Sequence, residues 1–302
     1  MAEQRIRVQV DGQELELSNL DKVLYPAAGF TKGEIIDYYT RVSGALLPHL
    51  RDRALTRIRY PNGVDGPFFF EKNAPGGTRN WVRLETLPVP GSSKERETLD
   101  FVVADDLPTL VWLANLAALE LHTPQWRIGE DPDLMVVDLD PGAPAGLREC
   151  CEVALLLRER LASDGLSAYP KTSGKKGMQL SCPIAGTRPA DEVSGYAKRV
   201  AEELERATPR TVTSKMAKRL RPGKIFIDWS QNNAAKTTVA PYSLRAQPVP
   251  TVSTPLTWEE VEAAAAGEPG AVRQFRPDEV LERIEEYGDL LEDLLSPGPD
   301  LP

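Results

Sequence analysis

The sequence predicts a mixed α/β fold with antiparallel and mixed sheets flanked by helices. Three observations carry that expectation. A hairpin signal opens the chain, strand-like segments dominate up to about residue 105, and from residue 134 onward strand-like and helix-like segments alternate. The 302 residues are 41% apolar and 27% charged, which suffices for one large core or two closely packed ones, since single cores stop growing at roughly 250–300 residues. Residues 1–296 read as one domain with room for two subdomains. The final PGPDLP, 297–302, reads as a linker or a frayed end.

Residues 5–17 hold two alternating segments joined by Asp11-Gly12, a pair suited to a two-residue turn because both central residues must accept positive φ. Thr31, with Glu34 three positions on, forms a capping box ahead of Ile35, Ile36, Tyr39, Val42 and Leu46, so a helix is expected over 32–50. Strands are expected at 54–60, 67–73 and 98–105. The apolar run 107–121 reads as a buried helix. Further on, 134–140 reads as a strand, 147–163 as a helix, 167–172 and 178–184 as strands, 190–207 as a helix and 224–230 as a strand. Two more helices are expected in the tail, one opened by Thr257 and one through 278–295.

Two histidines and three cysteines, with no CxxC or Cys/His spacing, exclude a zinc finger. Three thiols cannot all pair, and adjacent Cys150 and Cys151 would bridge under strain, so the cysteines read as reduced and the protein as cytoplasmic. The N-terminus lacks the apolar core of a secretion signal. No stretch reaches the ~20 apolar residues a bilayer needs, so no membrane partner is expected.

Net charge is -9, yet residues 256–302 alone carry 13 acids and 3 arginines, which leaves the rest close to neutral. Within 209–245 eight basic residues stand against the single acid Asp228. Such a run is either a solvated loop or a polyanion site.

The segment MVVDLDPG carries the clearest chemistry. On a strand, Asp138 and Asp140 project to the same side, about 7 Å apart along the chain. They are either solvated acids at a strand end or ligands of a hard cation such as Mg²⁺ or Mn²⁺. Asp228, in the otherwise apolar KIFIDWS, needs a partner if buried. Three strand carboxylates could hold two cations for nucleotidyl transfer. Between them, the loop in KTSGKKGMQLSCP is not a Walker A motif, but Gly174 and Gly177 permit close approach while Ser173, Lys175 and Lys176 offer donors to phosphate; a plain surface turn is the alternative. His122 is expected at a helix end, and His49 as structural.

In this order SNLDKVLYPAAGFTKGEIIDYY, RIRYPNGVDGPFFFEKN, LELHTPQWR, VVDLDPG, TSGKKGMQL and KIFIDWSQNNAAKTTVAPYSLR resemble the polymerase domain of bacterial DNA ligase D, in the archaeo-eukaryotic primase superfamily. The resemblance spans nearly the whole chain. It implies a primase-polymerase core that adds nucleotides by template during non-homologous end joining, usually with Mn²⁺ and often preferring ribonucleotides. It assigns Asp138, Asp140 and Asp228 to two metal ions. It assigns Ser173, Lys176, His122 and Arg245 to the nucleotide's phosphates and sugar, with Arg59 and Lys72 lining the site. Lys22 and Lys32 match lysines that grip a 5′-phosphate at a gap or break; sequence alone would call them solvated. Phe69 and Phe70 match template-stacking aromatics, core packing being the alternative, and Arg221 matches a mobile-loop residue that arranges the primer. Ku and a DNA ligase are the implied protein partners.

Three positions depart from the family's pattern. Gln179 stands where histidine closes the phosphate motif; it can donate a hydrogen bond to nucleotide but carries no charge. Ile58 replaces a lysine and Asn73 a histidine. Gln179 and Ile58 motivate the alternative of a DNA-end-binding module with little or no catalysis. A DxD glycosyltransferase, the second alternative, leaves Lys22, Lys32 and the basic stretch unexplained.

Overall fold

The computed structural model describes residues 5–89 and 97–302. The chain divides into two compact units, one of Met1–Thr123, Val239–Val252 and Arg276–Glu286, the other of Pro124–Thr238, Ser253–Phe275 and Tyr287–Pro302.

The first unit opens with the expected hairpin, β1 (Arg5–Val10) and β2 (Gln13–Ser18), in register from Arg5↔Ser18 to Val10↔Gln13. Asp11 and Gly12 both take positive φ, as the tight turn requires. A short ribbon of β3 (Val23–Tyr25) and β4 (Phe30–Thr31) leads into helix α1 (Lys32–Leu50). Its capping box is formed: Thr31 accepts from the Glu34 amide while Glu34 accepts from the Thr31 amide. Ile35, Tyr39, Val42, Leu46 and Leu50 then recur on one buried face. His49 is buried in the helix's last turn.

Strands β5 (Thr56–Arg59), β6 (Phe69–Glu71), β7 (Leu84–Pro88) and β8 (Thr98–Val102) follow, and Asp106 caps helix α2 (Leu107–Asn115). The expected helix over 107–121 stops at residue 115. Ala117 adopts left-handed φ, and Ala118–Thr123 continues as strand β9, paired with β5. Periodicity does not separate a buried strand from a buried helix within a mostly apolar run. His122 therefore lies on a strand, not at a helix end.

The second unit is built on a five-stranded sheet ordered β11-β12-β10-β14-β13: β10 is Leu134–Pro141, β11 Tyr169–Thr172, β12 Met178–Pro183, β13 Val212–Thr213 and β14 Ile225–Asp228. Central β10 runs antiparallel to both neighbours. Its Met135, Val137 and Leu139 are buried on one face, against which α3 (Leu147–Ala162) brings the Cys150 thiol to the Leu139 carbonyl. Helix α4 (Ala190–Ala207) buries Val193, Tyr196, Ala197, Val200, Ala201 and Leu204 at helical spacing. Where β14 no longer reaches, Asn232 acts as a strand: its side chain accepts from the Val136 amide and donates to the Val136 carbonyl, both at 2.8 Å. All three cysteines are free and buried.

The first unit's sheet, in the order β15-β9-β5-β6, ends on Val239 of β15 (Thr238–Val239), and β16 (Leu244–Arg245) pairs with β17 (Thr251–Val252). In the tail, Thr257 caps α5 (Trp258–Ala265). The helix expected through residue 295 ends earlier: α6 is Pro277–Tyr287, Gly288 takes positive φ, and only a 3-10 turn at Glu292–Leu295 follows. Residues 297–302, expected as a linker or a frayed end, are hydrogen-bonded to the second unit. Ala185 donates to the Pro299 carbonyl at 3.1 Å, Thr187 to Asp300, and Leu301 is buried. No helix among the described residues is long and apolar enough to cross a membrane.

Candidate active site

The sheet of the second unit sets four polar side chains in one row. Asp138 on β10 lies directly opposite Asp228 on β14 and, on its other side, opposite Gln179 on β12, which lies opposite Lys171 on β11. Directly opposed residues point to the same face with Cβ atoms about 4.5–5.5 Å apart. Asp140, two residues along β10, shares that face. The three acids separated by up to 90 positions in sequence thus converge.

Burial raises Asp138, to about 7, and the charges of Asp140 and Asp228 add to the rise, while Gln179 and Lys171 oppose it. Burial and Asp228 likewise raise Asp140, against Arg221 and Lys176. Among the described residues no three Asp, Glu, His or Cys side chains are gathered in metal-holding geometry. Asp228 is turned toward its own loop, accepting from Ser230 N at 3.0 Å, from the Ser230 hydroxyl and from Gln231 Nε2 at 2.9 Å, with Lys236 donating to that hydroxyl. Asp140 lies 4.0 Å from Arg221 Nη1. The donor set still fits a hard divalent cation, because all three groups are carboxylates and their mutual repulsion is what a cation relieves.

The turn between β11 and β12 runs beside the acids. Ser173 Oγ accepts from the Lys175 and Gly177 amides at 3.2 Å, closing the turn, and Gly174 takes φ +70°. A Cβ at Gly177 would collide with the Leu139 carbonyl oxygen, so only glycine lets the turn lie against β10 at the DxD. Lys176 is exposed. Gln179 is buried, with Oε1 accepting from Lys171 Nζ at 2.6 Å and the side chain hydrogen-bonded to Asp138. Arg221 packs its guanidinium on Phe226, 3.7 Å from the ring centroid, and donates to the Met216 carbonyl at 2.8 Å.

The remaining expected residues lie in the first unit. There Glu120, fully buried on β9, accepts at Oε2 from His122 Nε2 at 3.0 Å, has Arg245 Nε 3.3 Å away, and takes the Ala246 amide on Oε1 at 3.1 Å. Arg59 donates to Glu71 at 3.0 Å and to the Leu116 carbonyl at 2.7 Å. Burial lowers Lys72. Lys22 and Lys32 share a ribbon, the Lys32 amide donating to the Lys22 carbonyl at 2.9 Å. Lys22 is exposed and reaches Asn62 at 3.3 Å; Lys32 is buried, with Nζ on the Ser18 carbonyl at 2.6 Å. Phe69 and Phe70 are 51% and 55% exposed, which removes the core-packing alternative. Sequence reading passed over Glu120, Lys171, Ser230, Gln231 and Lys236. Glu120 alone carried a signal, a charge inside an apolar run.

Three strand carboxylates on one face of a mixed sheet, beside a Gly/Ser/Lys turn, agree with the class of primase-polymerase domains that the sequence resembles. A family model described as LigD, primase-polymerase domain, matches residues 31–291. The chain belongs to that family. It is 43% identical over 292 residues to the multifunctional non-homologous end joining protein LigD of Mycolicibacterium smegmatis, covering 95% of this chain and 37% of that protein. It is 34% identical over 277 residues to the bifunctional non-homologous end joining protein LigD of Bacillus subtilis, covering 91% of this chain and 43% of the relative. The chain thus spans less than half the length of these curated relatives. Among solved structures it matches the polymerase domain from Mycobacterium tuberculosis ligase D in complex with DNA, with a TM-score of 0.87 and 43% identity, covering 94% of this chain and 99% of that one.

Proposed function

We propose that this chain is a template-directed nucleotidyl transferase that fills gaps and extends ends during non-homologous end joining. The observation that carries the reading is the juxtaposition of Asp138 and Asp228 across adjacent strands, with Asp140 on the same face. Family membership supports it and leaves the glycosyltransferase without support.

Asp138, Asp140 and Asp228 would hold two divalent cations, Mn²⁺ or Mg²⁺, which when bound supply neutralisation of phosphate charge and polarisation at phosphorus. The primer 3′-hydroxyl attacks the α-phosphorus of a nucleoside triphosphate, and pyrophosphate leaves. Lys176, close enough to Asp140 to oppose its rise, offers an exposed ammonium to the phosphates. The Ser173 turn holds that lysine in place. His122 and Arg245 bind the sugar and phosphates, fixed in orientation by Glu120. Phe69 and Phe70 stack on template bases, contacts of about 1–3 kcal/mol each. Lys22 meets a downstream 5′-phosphate, and Arg221 arranges the primer. DNA as a partner follows the DNA complex of the matched domain; Ku, a ligase and a ribonucleotide preference follow the family.

The test is extension of a primer on a 5′-phosphorylated gapped duplex with Mn²⁺ and each nucleoside triphosphate in turn. A longer primer whose added base follows the template supports the reading. Tight binding without extension supports the end-binding alternative.

A further inference from the structure

Lys171 is an ammonium group buried to 3% exposure, on the edge strand β11, and the mechanism above gives it no task. Its Nζ donates to Gln179 Oε1 at 2.6 Å and to Ser253 Oγ at 2.7 Å. Gln179 is 5% exposed and sits between Lys171 and Asp138 in the row across β11, β12 and β10. The chemistry of the three groups fixes the direction of every bond. A lysine ammonium only donates and an ionised carboxylate only accepts, so the amide between them must turn its oxygen to Lys171 and its NH₂ to Asp138. Without the cation, that amide could rotate by half a turn and present its oxygen to the carboxylate, a repulsive contact.

We propose that Lys171 is a positioning residue for the metal ligand Asp138: acting through Gln179, it locks the amide so that its NH₂ faces the carboxylate and aims it across the sheet at Asp228. The proposal rests on the metal-site reading given above. It also assigns Gln179, at the position where the family has histidine, to holding a metal ligand rather than to gripping phosphate. Partners of this kind, one bond removed from a ligand, typically account for about 10–100-fold in metal affinity.

The test is Mn²⁺ affinity, measured by titration calorimetry on the full chain without nucleotide or DNA, for the unaltered protein, Lys171→Met, Gln179→Met and the double variant, with circular dichroism as the check on folding. Each single change is expected to weaken Mn²⁺ binding at least about tenfold, and the double variant by no more than about twofold beyond the weaker single, because both remove the same link. Unchanged affinity in Lys171→Met, or losses that multiply in the double variant, overturns the proposal. If Lys171→Met does not fold, Gln179→Met decides: a tenfold loss sustains the link and unchanged affinity overturns it. An unaltered protein that binds no Mn²⁺ refutes the metal site itself, an outcome separable from failure of the relay.

Discussion

Asp138 and Asp228 stand directly opposite one another on antiparallel neighbours, β10 and β14, with no residue of opposite charge between them in the row. Like charges so placed destabilise a sheet. Relieving that repulsion should therefore stabilise the metal-free protein while removing its chemistry. Asp138→Asn and Asp228→Asn are each expected to lower primer extension by at least ~100-fold. Their melting temperatures without metal should equal or exceed that of the unaltered protein. A drop in extension accompanied by unfolding would point to a structural role instead.

The raised Asp138 makes stability depend on pH in a defined direction. Its carboxyl moves from 3.8 to about 7 on folding, so between those values the folded protein holds a proton that the unfolded chain releases. The acid row's contribution therefore falls as pH rises from about 4 to 7, and Mn²⁺ affinity rises over the same window. Urea denaturation from pH 4.5 to 7.5 should show this slope without metal and a flatter one in Asp138→Asn.

Asn232 completes the edge of β10 with its side chain. Asn232→Ala strands the buried amide and carbonyl of Val136, at a cost of about 1–3 kcal/mol per orphaned group. Chemical denaturation measures it.

Gly177→Ala places a methyl group against the Leu139 carbonyl. Overpacking of this kind typically costs about 1–3 kcal/mol. Because the clash pushes the turn away from the DxD, the Michaelis constant for nucleotide should rise as well, in steady-state extension assays.

Phe69→Ala and Phe70→Ala remove exposed rings, so stability should change by less than about 0.5 kcal/mol. Affinity for gapped duplex should fall by about 1–3 kcal/mol per ring, read by fluorescence anisotropy. Equal affinity in both variants would detach these rings from the template.

Much of this was legible in the sequence, where local rules govern. Asp11-Gly12 specified its turn and Thr31 with Glu34 specified the start of α1, because each acts within four residues. The DxD pair was legible because strand alternation alone puts Asp138 and Asp140 on one side. What local rules miss is register. Nothing near Asp228 says that it faces Asp138, or that Lys171 and Gln179 extend the row, since pairing is decided by the whole sheet. The apolar run 107–121 misled for a related reason: apolar residues dominate it on every side, so no clear period marks the change of element, and pairing of Ala118–Thr123 with β5 prevailed over helix propensity. Gly288 ended α6 through a left-handed turn that the flanking charge pattern did not reveal.

The most direct measurement is anomalous diffraction from crystals of the protein grown with Mn²⁺ and a non-hydrolysable nucleoside triphosphate. Manganese peaks bridged by oxygens of Asp138, Asp140 and Asp228, with the triphosphate along the Ser173–Gly177 turn, are the predicted result. Peaks elsewhere on the surface, with the three carboxylates uncoordinated, would contradict it.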